Sequence, residues 1–146
     1  MDRDDVIAAL LAQVRDELAT LERVSEMARD EATSSESRAE NQYDTRATEA
    51  SYLAAGQGQR VLAVRRFAAM LDATASTSFD LFELAGDAGT AWFLLAPDGG
   101  GRRVRISDAD VVVVTRESPV GAELSRSHIG DDVRVGARAY VVADIS

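Results

Sequence analysis

Several residue types are missing or scarce in this chain, and their absence excludes whole classes of protein. There is no cysteine, and His128 is the only histidine among the 146 residues. A disulfide framework and a zinc site of the Cys/His kind are therefore excluded. No apolar run approaches the roughly 18 residues that a membrane helix needs, and the acidic start MDRDD does not resemble a secretory signal. These absences predict a cytoplasmic protein that does not enter a membrane.

Basic residues are outnumbered by acidic ones. The chain has 16 basic and 25 acidic residues, a formal net charge of −9, and no basic stripe. Because binding to phosphates requires clustered cations, we expect no direct sequence-specific contact with nucleic acid. A hydrophobic content of 46% is typical of a folded chain. The length suits one ordinary domain or two small ones.

The first half of the sequence predicts two long helices. Apolar and small residues recur at alternating steps of four and three, the spacing of a coiled-coil seam. The first seam comprises Ile7, Leu11, Val14, Leu18, Leu21, Ser25 and Ala28. The second comprises Tyr43, Ala47, Ala50, Ala54, Gln57, Val61, Val64, Ala68 and Leu71. Two such helices with a short polar connection predict an antiparallel coiled-coil hairpin over residues 1–73, with its tip near residues 33–40.

Helix-start signals and an acidic stripe characterise this tip. Thr33 with Glu36, and Ser37 with Glu40, have the spacing of a capping box, so we expect the second helix to begin near one of them. Glu36, Glu40 and Asp44 recur at steps of four, which puts three like charges on one helical face. Such a stripe is either solvated or faces a positive partner. In the alternative interpretation, Glu36 and Glu40 are only the closing members of their capping boxes.

Residues 74–146 predict a small antiparallel sheet with one short helix. Strand-like runs such as TAWFLL, VVVV and ARAYVVADI alternate with turn residues. Ser118 is the expected cap, and Pro119 lies in the first turn of the helix in SPVGAELSRS. We interpret Asp98-Gly-Gly-Gly101 as a hairpin turn, because a phosphate-binding loop would lead into a helix and this run precedes a strand. The fold class is therefore α+β.

Candidate catalytic residues are few. A Ser-His-Asp site would have to combine His128 with Ser118 and either Asp131 or Asp132. No serine has the sequence of a nucleophile elbow around it. We therefore interpret His128 as an exposed turn residue and expect no catalytic residues.

The order of these elements and a C-terminal motif resemble the Gre family of bacterial transcription elongation factors. The segment from ESPVGAEL to ARAYVVADI is similar to that family's closing pattern of Ser-Pro-(Leu/Ile)-Gly, a short helix, Gly-Asp and two strands. The matching positions are Ser118, Pro119, Val120, Gly121, Leu124, Gly130 and Asp131. The resemblance implies an FKBP-like domain that docks on the secondary-channel rim of RNA polymerase. The docking loop would comprise Ser118, Pro119, Val120 and Gly121, and a monomer would insert its coiled coil into the channel.

The tip departs from the motif of the family's cleavage-stimulating members. Their Asp-Leu-Ser-Glu-Asn is followed by Tyr three residues later. When this motif is aligned on Glu40 and Asn41, Ser37 stands in the place of the Asp and Asp44 in the place of the Tyr. The resemblance implies that tip carboxylates complete the coordination of a Mg²⁺ ion in the polymerase, so the polymerase is the enzyme and the factor has no cofactor of its own. Glu36 and Glu40 are the candidate Mg²⁺ ligands in that complex.

Three functions stay open at this point. The protein either stimulates transcript cleavage by the polymerase, or modulates or inhibits the polymerase without cleavage. Alternatively, it is a coiled-coil adaptor unrelated to transcription. Prolyl isomerase activity of an FKBP-like domain is disfavoured, because the rings of the second half are few and belong to strands. These rings are Phe79, Phe82, Trp92, Phe93 and Tyr140.

Overall fold

A computed structural model describes residues 1–38, 45–73 and 78–146, and it confirms the α+β class. The helices are α1 (Arg3–Arg38), α2 (Thr45–Ala73) and the short α3 (Pro119–Leu124). The strands are β1 (Asp80–Gly86), β2 (Gly89–Leu95), β3 (Arg103–Ile106), β4 (Ala109–Val114), β5 (Asp132–Val135) and β6 (Arg138–Ile145). Two compact units result, unit 1 with Met1–Leu11 and Leu71–Ser146, and unit 2 with Ala12–Met70. The division into domains at residues 73 and 74 stays a prediction.

Helix α1 begins at a cap and continues further than the sequence predicted. The Asp2 carboxylate accepts the backbone N–H of Asp4 at 2.7 Å, which satisfies one of the free donors at the helix start. The helix then continues through Thr33 and Ser37 to Arg38. The hydroxyl of Thr33 donates to the carbonyl of Arg29, one turn earlier, at 2.9 Å. The expected start of the second helix at Thr33 or Ser37 is therefore wrong, because both residues lie inside α1.

Unit 2 buries the described seam positions of both long helices to different degrees. The buried seam residues of this unit are Val14, Ser25, Val61, Val64 and Ala68. Among the described residues, ion pairs connect α1 with α2. Arg65 contacts Glu22 at 2.6 Å, and Arg60 contacts Glu17 at 3.8 Å.

The six strands of unit 1 form one mixed sheet with the order β3-β4-β2-β1-β6-β5. Neighbouring strands are antiparallel except β2 and β4, which are parallel, so the expectation of a purely antiparallel sheet is wrong. The reason is the connection 96–102, which does not place β3 directly beside β2 but one strand position further out. Strand β3 therefore becomes an edge strand, and β4 returns between β3 and β2. The Asp98–Gly101 run belongs to this connection and joins no neighbouring strands, so its interpretation as a hairpin turn is also wrong.

The two hairpins at the opposite edges of this sheet have the same local geometry. Residues 101–113, GRRVRISDADVVV, align without a gap with residues 130–142, GDDVRVGARAYVV. In each, the N–H of the first glycine donates to the carbonyl of the last valine, at 2.9 Å and 2.8 Å respectively. The turn residues Ser107 and Gly136 are equivalent and have positive φ values of 52° and 61°. In the two edge strands, β3 and β5, equivalent residues therefore have the backbone N–H and C=O groups that point away from the neighbouring strand.

One face of the sheet carries a continuous apolar core. Its buried members are Phe82, Leu84, Phe93, Leu95, Val114, Leu124, Val133 and Val142. Helix α3 covers this face, because Leu124 is buried within the cluster and Val120 packs against it. The opposite face is buried in part, although Ala85 and Val141 on that face are exposed. Leu81, Leu94, Val111 and Val113, which alternate with members of the cluster along their strands, are at most 1% exposed.

The first turns of α1 contribute to the interior of unit 1. Val6 and Leu10 are fully buried, as is Phe79 just before β1. The Arg3 guanidinium donates to the carbonyl of Phe79 at 3.1 Å. The start of α1 is thereby attached to the chain segment that enters the sheet.

Candidate functional site

The predicted docking loop is a tightly hydrogen-bonded helix start. Ser118 is the N-cap of α3, as the sequence predicted, and Pro119 occupies its first turn. The hydroxyl of Ser118 accepts the N–H of Gly121 at 3.0 Å and donates to the carbonyl of Thr115 at 2.8 Å. The same carbonyl accepts the backbone N–H of Ser118 at 3.0 Å. Ser118 therefore fixes the angle at which the chain passes from β4 into α3.

Gly121 is required by the close approach of two backbone segments. A Cβ at this position would lie 1.9 Å from the carbonyl oxygen of Thr115, well inside van der Waals contact. Only a residue without a side chain allows α3 to begin so close to the end of β4. Local contacts thus explain each residue of the Ser-Pro-Val-Gly sequence. Ser118 caps the helix, Pro119 has a φ that suits its first turn, Val120 is half-buried against the core, and Gly121 permits the close contact.

Pro119 and Val120 differ in what they offer to a partner. Pro119 is exposed, whereas Val120 is half-buried and packs against the core cluster. Val120 therefore contributes to the core of the sheet. Pro119 remains available for contact on the surface.

An open apolar cleft of about 550 Å³ lies beside this loop. One wall consists of the connection residues Asp98, Gly100 and Gly101, and the other of β4 and the start of α3. Asp98 stabilises its own wall, because its carboxylate accepts the N–H of Gly99 at 2.7 Å. A Cβ at Gly100 would lie 3.1 Å from the Thr115 methyl group, so a small residue suits this wall. The sequence signal for this wall is the run of three consecutive glycines, which the interpretation as a turn did not connect with a cleft.

The loop is preceded by a carboxyl group, that of Glu117, whose pKa is shifted. A hydrogen bond from its own backbone and one from the Thr115 side chain lower the pKa of the Glu117 carboxyl, and Arg116 contributes in the same direction. The carboxyl is fully exposed. A carboxylate that stays charged in mildly acidic solution therefore lies just before α3.

The predicted tip residues are only partly among the described residues. Glu36 and Ser37 lie on α1. Glu40, Asn41 and Asp44 lie outside the described residues. Their role as a partner-facing tip stays a prediction.

The structure assembles no catalytic triad around the single histidine. The His128 side chain is 87% exposed, and its Nδ1 lies 3.6 Å from an Asp131 carboxylate oxygen. The backbone N–H of His128 donates to the same carboxylate at 2.8 Å, which makes a local turn. This exposure and this local turn confirm the interpretation of His128 as an exposed turn residue. The Ser118 hydroxyl is separately engaged in capping α3. Within the described ranges, no group of three or more His, Asp or Glu side chains is arranged to hold a metal ion.

The three phenylalanines of the sheet unit are buried, and Tyr140 packs against the core cluster. Phe79, Phe82 and Phe93 are at most 7% exposed. The Tyr140 ring packs over Gly86, where a Cβ would lie 2.7 Å from it.

Comparison with known proteins gives no assignment. The chain matches no protein-family model, and no curated protein is significantly similar to it. In the part of the chain that the structure describes, none of the helices combines the length and the apolar character needed to cross a membrane.

Proposed function

We propose that this protein is a Gre-like factor that binds bacterial RNA polymerase and modulates elongation through the secondary channel. The observation that carries the proposal is the Ser118–Gly121 loop. It is a defined helix start with an exposed Pro119 beside an open apolar cleft, at the position where the Gre resemblance places the docking contact. An exposed apolar residue next to a cleft is suited to be a small anchor in an interface.

The arrangement of unit 2 supports an antiparallel coiled-coil hairpin in this proposal. Glu22 and Arg65 each directly follow a seam residue, whereas Glu17 and Arg60 each directly precede one. The ion pairs therefore join like flanks with like flanks. In a parallel coiled coil, residues that precede a seam position face residues that follow one on the partner helix. In an antiparallel pair one helix is reversed, so residues that precede seam positions face each other, and so do residues that follow them. The FKBP-like character of the sheet unit belongs to the same proposal.

The carboxylates of the proposed tip would act within the polymerase. Glu36 and Glu40 would donate carboxylate oxygens, the ligand type that Mg²⁺ prefers, to an ion held mainly by the polymerase. The polymerase would stay the enzyme. Ser37, where cleavage-stimulating members have Asp, leaves one acid fewer at the tip, so modulation without strong cleavage is the form of activity we favour.

The experiment that tests the proposal is capture of bacterial core RNA polymerase by the full chain, immobilised through a terminal tag. Pro119→Glu should weaken capture, because it places a charge on the proposed anchor while an acid in the first helical turn is compatible with α3. Ala88→Glu, at an exposed turn between β1 and β2, adds the same charge elsewhere and should leave capture intact. Failure of the parent chain to capture polymerase would refute the proposal.

A coiled-coil adaptor is the second candidate, and exposed apolar residues of unit 2 favour it. Met27 of α1 is 66% exposed and Leu62 of α2 is 48% exposed. Such side chains suit contact with another helix. In this case Met27→Glu, and not Pro119→Glu, would abolish partner binding.

A further inference from the structure

The two edges of the sheet are protected differently, although their hairpins are equivalent. In an antiparallel pair, residues alternate between those bonded to the neighbouring strand and those directed outward. The N–H of Val113 donates to the carbonyl of Arg102, so Arg103 and Arg105 are the outward residues of β3. By the same reasoning, Asp132 and Arg134 are the outward residues of β5.

On β5, a side chain covers the outward edge. The carboxylate of Glu123, on α3, accepts the backbone N–H of Arg134 at 3.0 Å. This bond occupies a donor that an added strand would need. Strand β5 is thus closed to strand addition at its centre.

On β3, the equivalent donors are open. Among the described residues, none hydrogen-bonds to the outward backbone N–H of Arg103 or Arg105. Both side chains are exposed. They are two residues apart on a strand, so they extend from the same face of the sheet. Arg105 is held by Asp110 at 3.4 Å, with both side chains more than half exposed.

The positive charges of Arg103 and Arg105 favour an acidic partner over a second copy of β3. Two copies of β3 would bring arginines together, and like charges on facing strands are destabilising. An extended segment with acidic residues at alternate positions would instead pair its carboxylates with Arg103 and Arg105. The backbone of that segment would meet the open N–H and C=O groups of β3, which is the usual mode of strand addition.

We propose that β3 is a binding site for an acidic, extended segment of a partner protein, which adds to the sheet as a seventh strand. The site is independent of the proposed polymerase factor activity and of the Ser118–Gly121 loop. The Arg–carboxylate pairs would give register and selectivity, and the backbone bonds would give most of the affinity. A protein segment is a better candidate than a nucleic acid, because the chain has a net charge of −9 and two arginines are few for binding to a phosphate backbone.

The test uses the full chain and a fluorescent peptide of alternating glutamate and valine, with a lysine-for-glutamate peptide as the charge control. The acidic peptide should bind, the lysine peptide should not, and the amide signals of Arg103 and Arg105 should gain protection from hydrogen exchange. Replacing both residues, Arg103→Glu with Arg105→Glu, should weaken binding about tenfold or more and reverse the preference to the lysine peptide.

The matched control is Arg134→Glu, the equivalent of Arg105→Glu on the covered edge, and it should leave binding of the acidic peptide unchanged. Circular dichroism of each variant shows whether it has folded. If the double glutamate variant does not fold, Arg103→Gln with Arg105→Gln replaces it. This variant removes the two charges without adding repulsion, and it should also lose the selectivity between the two peptides.

Several results would overturn the proposal. If the acidic peptide does not bind the parent, the arginines only guard the edge against self-association. If it binds the double glutamate variant equally well, or protects amides elsewhere, β3 is not the site. A single-stranded oligonucleotide that binds through Arg103 and Arg105 while the acidic peptide does not would assign the edge to nucleic acid instead.

Discussion

At the scale of single residues, the turn from β4 into α3 depends on contacts among Thr115, Ser118 and Gly121. Thr115 is central, because its carbonyl accepts two hydrogen bonds from Ser118 and lies against the backbone of Gly121. Its side chain also acts on Glu117. A change of one atom at this turn should therefore be measurable in stability or in titration.

Gly121→Ala should destabilise the chain by about 1–3 kcal/mol or more, because overpacking forces the backbone to move. The new Cβ would otherwise lie 1.9 Å from the Thr115 oxygen. Gly56→Ala is the matched control: it lies in α2 with no atom within 4 Å of the added Cβ, and it should stabilise the helix by about 1 kcal/mol. Urea unfolding followed by circular dichroism measures both changes. Equal effects of the two substitutions would contradict the assigned role of Gly121.

Glu117 should titrate below the ordinary value of 4.5. A lowered folded pKa means that its contribution to stability is present above the unfolded pKa and is lost as the pH falls through the folded pKa. Thr115→Val removes the side-chain hydrogen bond and should move the pKa part of the way back, since the backbone bond, the larger cause, remains. Carboxyl NMR chemical shifts against pH measure this. An unchanged titration midpoint in Thr115→Val would show that the hydroxyl does not act on Glu117.

At the scale of elements, the ion pairs between α1 and α2 in unit 2 contribute little to the stability of that unit. The Glu22–Arg65 pair is short, but its side chains are 42% and 54% exposed, so water and salt weaken it. Its role is to favour one register of the two helices over another. Stability of the unit comes mainly from the buried seam residues.

A double-mutant cycle with Glu22→Ala and Arg65→Ala should give a coupling of about 0.2–1 kcal/mol that decreases in high salt. The Glu17–Arg60 pair, at 3.8 Å, is the control and should give a smaller coupling. Chemical unfolding at low and high salt measures both cycles. A coupling that does not respond to salt would mean that the contact of Glu22 with Arg65 is not electrostatic.

At the scale of the whole molecule, the proposed activity combines docking by the sheet unit with an effect of the tip. In the proposed tip, the acids Glu36, Glu40 and Asp44 would repel one another only slightly in water, where solvent and salt screen them. In a narrow and partly desolvated channel, the same charges would interact much more strongly with Mg²⁺ and basic walls, because Coulomb energy is inversely proportional to the dielectric constant. Docking and effect should therefore be separable by mutation.

Glu36→Gln with Glu40→Gln should leave polymerase capture intact and abolish the effect on transcription. The amides are similar in size to the acids but cannot provide the charge. The control removes two exposed acids elsewhere on α1, Glu26→Gln with Glu31→Gln, and should change neither property. Capture and transcript cleavage in a stalled elongation complex are measured in parallel. A double tip variant that acts like the parent would show that these acids have no functional role.

Ser37→Asp introduces the acid that cleavage-stimulating members of the Gre family have at the position to which the proposed resemblance aligns Ser37. If a missing ligand limits the activity, this variant should increase transcript cleavage by the polymerase while capture stays constant. Ser34→Asp, three positions away on α1, is the control for an added charge and should have no such effect. Cleavage that does not increase with Ser37→Asp would mean that the position of the acids, and not their number, is limiting.

Local patterns in the sequence determined much of this molecule. The α+β class, the cap at Ser118, the first-turn position of Pro119 and the exposed turn at His128 all depend on a few neighbouring residues, and the structure agrees with each. The buried positions Val14, Ser25, Val61, Val64 and Ala68 lie on the predicted seams, because helical periodicity is a local property. The sequence by itself did not determine the end of α1, since Thr33 has the sequence of a cap but donates to the carbonyl of Arg29.

The tertiary structure alone decided which strands are neighbours. Strand β4 is parallel to β2 because the connection 96–102 leaves room between β2 and β3, and strand order depends on contacts between distant residues that no local pattern encodes. The same holds for Gly121, whose necessity arises from the Thr115 carbonyl across the turn. It holds also for the two sheet edges, where a carboxylate on α3 covers Arg134 but nothing described covers Arg103. The sequence specifies which residues are apolar, small or charged, and only the packing of distant segments decides which of them stay accessible to a partner.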